Sequence, residues 1–199
     1  MISADSIARL HDWLTIQWHS DPNADPAQTD AFLALVARQH RANFDLWHIE
    51  DEARRPGAAA EEIADVKRRI DRTNQLRNDL AEQLDVGLLQ HLTSRSLPNC
   101  DAPLHSESPG LIIDRLSILA LKIYHTREEA ERTNAPPGHA ERNRSRLGVL
   151  EEQRADLAGC LQRLWDDTMD GTRRFKLYRQ LKMYNDPSLN PAIYGPKRP

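Results

Sequence analysis

The sequence predicts an all-α fold, a single-domain bundle of five to six helices followed by an extended, basic C-terminal arm. Three observations predict it. The 199-residue chain has 25 leucines against 4 valines, and 29% of its residues are charged, a balance that favours helix over sheet. Apolar residues recur at three- and four-residue steps over long windows. Proline- and glycine-bearing strings interrupt those windows at a few places.

Taken in order, the first helix runs from about Asp5 to His19 with Ile7, Leu10, Leu14 and Trp18 at helical spacing. Asp21-Pro22 and Asp25-Pro26 break it, because proline disfavours helix in the residue before it. The second spans about Thr29 to Arg54 and stops before Pro56-Gly57. The third covers about Ala59 to Thr93, with Ile63, Ile70, Leu84 and Leu88 on its buried stripe. A polar, proline-bearing loop spans Leu97 to Glu107. Ser108-Pro109 then reads as an N-cap with proline at the first helical position. The fourth helix continues to about Thr133 and ends at Asn134-Ala-Pro-Pro-Gly138. The fifth, about Ala140 to Asp170, carries Leu147, Leu150, Leu157, Leu161 and Leu164 close to a heptad seam. Gly171 separates it from a short basic helix predicted over Thr172–Tyr184, and the four prolines of Asn185–Pro199 exclude regular helix there. Residues 1–28 thus read as an N-terminal helix and linker, 29–171 as the bundle core and 172–199 as the arm.

This length implies one domain with a core large enough to need no cross-links. The longest apolar run, Leu116 to Tyr124, is broken by Ser117 and Lys122 and is too short to span a bilayer. No signal peptide is expected from the N-terminal residues. Cys100 and Cys160 form neither a metal nor a disulfide pattern, which fits a reducing cytoplasm. Net charge is −3 but uneven: residues 172–199 carry seven cations against Asp186 alone, leaving the rest acidic. That arm is expected to dock on the acidic body. The two tyrosines of its Phe175–Pro191 string, Tyr178 and Tyr184, are too few, on a negative chain, to argue for nucleic acid.

Polar residues fall where the periodicity demands apolar ones. In the second helix the inward stripe of Phe32 and Val36 continues as His40, Asn43, Trp47, Asp51 and Arg54. Burying such groups is costly unless they are paired, so this half is either exposed or lines a site. In the third helix Asp71, Asn74, Gln75, Arg77 and Asn78 lie on adjoining turns, with Lys67 one turn before, and asparagine is a poor mid-helix residue. The fourth helix, apolar almost all round, carries Asp114, Ser117, His125 and Glu128 on one line and Arg115 and Lys122 on another. Charged groups on a central helix are expected to be paired internally or to face a cavity.

His48-x-x-Asp51 and His125-x-x-Glu128 each place a histidine and a carboxylate three apart, so two facing helices would offer imidazole and carboxylate ligands to a divalent metal. The order is the reverse of the Glu-x-x-His of di-metal bundles. Glu61-Glu62-Ile-Ala-Asp65, with Glu50-Asp51-Glu52 as a loose second cluster, gives a faint match to the all-α, magnesium-dependent nucleotide pyrophosphohydrolases. Nucleophilic catalysis has no elbow motif and no activated cysteine to support it. Glycine-rich phosphate loops are missing too, so a phosphate would rely on arginine and lysine or on a helix start such as Ser106-Glu-Ser-Pro-Gly110.

Four strings, at Leu46–Arg54, Lys67–Asp79, Ser106–His125 and Lys176–Pro191, follow the patterns LWHxEDxAR, KRxIDxxNQxRND, SExPGxxIDRLSILxLKIYH and KxYxQxKMYNDPxLNP. Together they resemble an uncharacterised bacterial family known as a domain of unknown function. The resemblance implies a setting beside glycosyltransferases of surface-polysaccharide synthesis, and it brings no catalytic residue with it.

The expectation is recognition or turnover of a small phosphorylated ligand, a sugar phosphate or nucleotide sugar. Arg54, Lys67, Arg77, Arg115 and Lys122 would hold the anion, and Asp71, Asn74 and Asn78 would read hydroxyls. Tyr178 and Lys182 would close one wall. Asp114, His125 and Asp51 are the acid/base candidates, and His48, Asp51, His125 and Glu128 the metal candidates. The alternative is a non-enzymatic adaptor or homo-oligomer that docks glycosyltransferases through exposed leucines of the fifth helix.

Overall fold

The computed structural model describes residues 3–25, 28, 30–181, 188 and 189. Among them are five helices and no strand: α1 Ala4–Ser20, α2 Ala31–Ala53, α3 Ala60–Thr93, α4 Pro109–Glu131 and α5 His139–Met169. Local chemistry sets their starts. The Ser3 hydroxyl accepts the Ser6 N–H at 3.2 Å, and the Asp30 carboxylate accepts the Leu33 N–H at 2.9 Å, each relieving an orphan donor of the first turn. Glu62 reaches back to the Ala59 N–H at 3.2 Å to open α3.

The start of α4 is capped from outside. Ser108 stands at the N-cap, but its hydroxyl donates to Asp85 of α3 at 2.5 Å, and the same carboxylate accepts the Gly110 N–H at 2.7 Å. A β-carbon on Gly110 would lie 2.3 Å from the Ala81 carbonyl oxygen, so only glycine allows α4 to approach α3 this closely.

Short connections fold α2 against α3 and α4 against α5 as two hairpins, and α1 packs on α4, α2 and α5. The larger apolar cluster joins Ile7, Val36, Leu84, Leu88, Ile112, Leu116, Leu161, Trp165 and Phe175. A smaller one, of Leu14, Trp18, Phe44 and Leu121, lies further along the same helices. Along the same helices lies a set of buried polar residues: His11, Thr15, Gln39, His40, Asn43, Asp114 and Ser117. The heptad-like seam of α5 packs within the chain, with Leu161 and Leu164 buried and Leu150 and Leu157 half-buried. The exposed leucine stripe expected of an adaptor is therefore not presented.

The basic helix predicted over Thr172–Tyr184 does not form in its described part. Gly171, at φ +73°, ends α5 in a Schellman turn, with its N–H on the Thr168 carbonyl and the Thr172 N–H on the Asp167 carbonyl. Residues 172–181 then run without regular helix or strand. Leu104 and Arg174 form an isolated parallel bridge, in which the Arg174 N–H donates to the Pro103 carbonyl and the His105 N–H to the Arg174 carbonyl. Phe175 enters the core, and a chain tied to that loop on both sides of Arg174 cannot also close helical turns. The described part of the arm docks on the acidic body, where the Gln180 N–H donates to Glu82 at 2.8 Å. No helix of the described residues is long and apolar enough to cross a membrane.

Candidate functional site

The polar half of the α2 stripe divides into a sealed layer and an open end. In the sealed layer, Asp114 of α4 receives both arms of Arg77 from α3, Nε to Oδ1 at 2.8 Å and Nη2 to Oδ2 at 2.6 Å. Gln39 and Asn43 of α2 also donate to Oδ1, at 2.6 and 3.0 Å. The Asp114 carboxylate beside it holds Arg77 above the usual guanidinium value. Oδ1 takes three of these donors and Oδ2 takes Arg77 Nη2, so Asp114 fixes the position of the Arg77 guanidinium.

Asn43 donates onward to the Ser117 hydroxyl at 2.9 Å, and Ser117 meets His40 Nδ1 at 2.7 Å. His40 Nε2 stands 2.9 Å from the Thr15 hydroxyl, whose own proton goes to the His11 carbonyl at 2.8 Å. Thr15 must therefore accept, which assigns the His40 proton to Nε2 and makes Nδ1 the acceptor for Ser117. Burial, then neighbouring His11, pushes His40 well below the usual imidazole value, so it is neutral. The expectation that this stripe faces solvent or a ligand is thus corrected for His40, which is buried and satisfied; Asn43 is buried with both amide N–H groups taken, and only its edge reaches the cleft described next.

Further along the stripe, Trp47, Glu50, Asp51 and Arg54 line a cleft of about 230 Å³ with Asn43 and Arg77, over an apolar floor of Leu46, Ile118 and Leu121. Arg54 pairs with Glu50 at 2.9 Å and Asp51 at 3.1 Å. The cleft thus presents two guanidiniums, each matched by carboxylate, so its polar rim is close to charge-balanced.

The other predicted ligand-holding residues do not line this cleft. Lys67 pairs with Asp71 at 2.6 Å on α3, and Asn74 accepts from Arg77 Nη1 at 3.5 Å. Asn78 is half-buried on the same helix. Arg115 and Lys122 are exposed beside Asp156 and Leu157 of α5, Arg115 pairing with Glu107 at 2.8 Å. Charged groups on α4 are expected to be paired or to face a cavity, and both cations do line an open groove of about 580 Å³ between α4 and α5, separate from the cleft beside Trp47. Tyr178 is partly exposed and outside the cleft wall, while Lys182 and Tyr184 lie outside the described residues. Of the pyrophosphohydrolase-like string, Glu62 and Asp65 lie with Glu52 around a separate groove, where each is paired with an arginine: Glu62 with Arg55 at 2.9 Å, Asp65 with Arg68 at 3.7 Å and Glu52 with Arg69 at 2.6 Å.

At the far end of the bundle, beyond the smaller apolar cluster, His48 of α2 and His125 of α4 meet as the metal reading expected. The third member is His19 of α1, which that reading did not include. One ring nitrogen from each lies within 4.8 Å of the other two. His19 Nδ1 is 2.7 Å from the Thr15 carbonyl, His48 Nδ1 2.8 Å from the Phe44 carbonyl and His125 Nδ1 2.9 Å from a Glu128 oxygen. Burial chiefly, with His125 and His48 nearby, lowers the His19 pKa. Asp51, the remaining predicted ligand, is turned to Arg54 in the cleft. Trp47 joins the two places: its indole stacks on His125 at 4.9 Å and lines the cleft. A sequence signal for His19 existed, since His11, Thr15 and His19 mark a polar line at four-residue steps along α1.

A family profile described as a protein of unknown function matches residues 33–177, most of the chain. The chain belongs to the DUF4254 family. The DUF4254 match takes in the whole cleft together with His48 and His125, and it leaves α1, with His19, outside. Neither the curated proteins nor the solved structures yielded a match.

Proposed function

We propose that the cleft recognises or turns over a small sugar-type ligand, a sugar phosphate or nucleotide sugar, in surface-polysaccharide metabolism. The observation that carries this reading is the cleft's lining: one tryptophan beside Asn43, Glu50, Asp51, Arg54 and Arg77, six side chains from two helices around a space the size of a single sugar ring. Planar amide, carboxylate and guanidinium groups suit paired hydroxyls, and an indole suits the apolar face of a pyranose. The resemblance to a family whose members stand beside glycosyltransferases narrows the polar ligand to sugars. A phosphate would take Arg54, which is held only by exposed pairs and is free to exchange them. Roles then follow for the residues present: Trp47 as platform, Arg54 as anion clamp and Arg77 as a fixed donor set by Asp114.

A thermal-shift panel of sugar phosphates, nucleotide sugars and nucleotides tests it. A ligand at 100 times its dissociation constant stabilises by about 2.7 kcal/mol, and that shift is expected to vanish in Trp47→Ala and Arg54→Ala while both variants keep the unliganded Tm within a few degrees. A flat panel with responsive control proteins, or a shift unaltered by both substitutions, contradicts the reading.

A further inference from the structure

We propose that His19, His48 and His125 form a binding site for one divalent transition-metal ion of the zinc class, distinct from the sugar cleft and separated from it by Trp47. The tautomers follow from the hydrogen bonds. Two of the three Nδ1 atoms face backbone carbonyls and the third faces a carboxylate, and all three partners only accept. Each Nδ1 therefore carries the proton, and each Nε2 keeps its lone pair. In His19 and His125 that Nε2 is buried and meets no partner. Buried imidazole nitrogens without partners are costly, and a cation shared between them removes the cost.

The arrangement has the features of a metal centre rather than an aromatic cap. Ligating histidines commonly donate their second ring N–H to a carbonyl or carboxylate, which fixes ring orientation and raises ligand basicity; here all three do so, with Glu128 as the carboxylate partner of His125. The ligands come from three different helices, α1, α2 and α4, whose packing fixes their separation. Nitrogen ligands at 2.0–2.1 Å from a tetrahedral ion stand about 3.3 Å apart. One ring nitrogen of each histidine lies within 4.8 Å of the other two, so binding would draw the three imidazoles together. Three imidazoles select zinc, copper, nickel or cobalt over magnesium or calcium, and three protein ligands leave the fourth position to water or to an oxygen of a bound molecule. This inference does not depend on the ligand assigned to the cleft.

Calorimetric titration of the chelator-treated full chain with Zn²⁺ tests it, with Co²⁺ as the optical probe. Saturable binding of one ion per chain is expected, with the d–d absorption of a four- or five-coordinate cobalt site and a change in Trp47 fluorescence. Glu128→Gln leaves the three ligands in place and is expected to weaken binding 10- to 100-fold. His48→Gln and His125→Gln, checked for an intact helical circular-dichroism spectrum, are expected to abolish it, whereas His91→Gln is expected to change nothing. No saturable binding to the wild-type chain overturns the proposal, as does one-to-one binding that survives both His48→Gln and His125→Gln.

Discussion

Arg77 is the residue on which the sealed layer and the cleft meet. Its guanidinium is bonded through two nitrogens to Asp114, with the Arg77 side chain 24% and the Asp114 side chain 8% exposed. Removing one partner of such a pair strands the other charge, typically at 3–5 kcal/mol when fully buried. Arg77 sits at the cleft rim, so Arg77→Ala is expected to cost about 3 kcal/mol in urea unfolding. Asp114→Ala leaves Gln39, Asn43 and Arg77 without their acceptor and is expected to cost at least as much. The double variant should cost clearly less than the sum of the two, because each single change already forfeits the pair. Additive losses would mean that the two side chains act independently. Sequence periodicity placed Asp114 on the inner face of α4, which its burial bears out. It did not reveal the partner, because Arg77 and Asp114 lie 37 residues apart and no local pattern links them. For the same reason His19, on a helix that pairs with neither α2 nor α4 through a short turn, escaped the metal reading.

At the scale of elements, α4 depends on α3 for its start. The Asp85 carboxylate satisfies both the Ser108 hydroxyl and the Gly110 N–H, two donors buried beneath the α3–α4 crossing. Asp85→Ala orphans both and is expected to destabilise by about 2–4 kcal/mol, from roughly 1–3 kcal/mol for each unsatisfied group, less whatever water recovers. Asp85→Asn keeps an acceptor for Gly110 and should cost distinctly less. Equal losses in the two variants, by urea midpoint, would contradict the capping role. The helices themselves were legible because their signals are local: Ser108-Pro109 opens α4, Asn134 to Gly138 separates α4 from α5, and Gly171 closes α5. The segment after Gly171 was misread as helix. Its basic, leucine-bearing pattern suits one, but its backbone partners belong to the loop at Pro103–His105, some seventy residues earlier. Long-range pairing of this kind leaves no periodic trace.

For the whole molecule, the polar residues sort into groups that titrate in opposite senses. Burial first, and Arg154 second, lowers His11 from the usual 6.5 to about 3, and His40 moves the same way. Their folded forms resist protonation, so the stability they contribute is present above pH 6.5 and is lost as pH falls toward their folded values, at about 1.4 kcal/mol per pH unit for each. Asp85 is raised from 3.8 to about 6, chiefly by burial, so its contribution is full below 3.8 and is lost as pH rises through 6. Between about pH 4 and 6 Asp85 opposes the two histidines, and with two groups lowered against one raised the fold is expected to lose stability on acidification. A urea midpoint that stays level or rises from pH 6.5 down to 4 would contradict this balance.

One bundle thus holds two kinds of histidine: a sealed pair, His11 and His40, and a half-buried trio at the bundle end, His19, His48 and His125. Long-range proton–nitrogen correlation spectra of the imidazole rings, recorded without metal from about pH 5 to 8, test it most directly. His11 and His40 are expected to stay neutral throughout, with the His40 proton on Nε2. The three end-of-bundle rings, at the alkaline end of the series, are expected to carry theirs on Nδ1. An ordinary titration near pH 6.5 at His11 or His40, or protonated Nε2 atoms across the trio at pH 8, would contradict it.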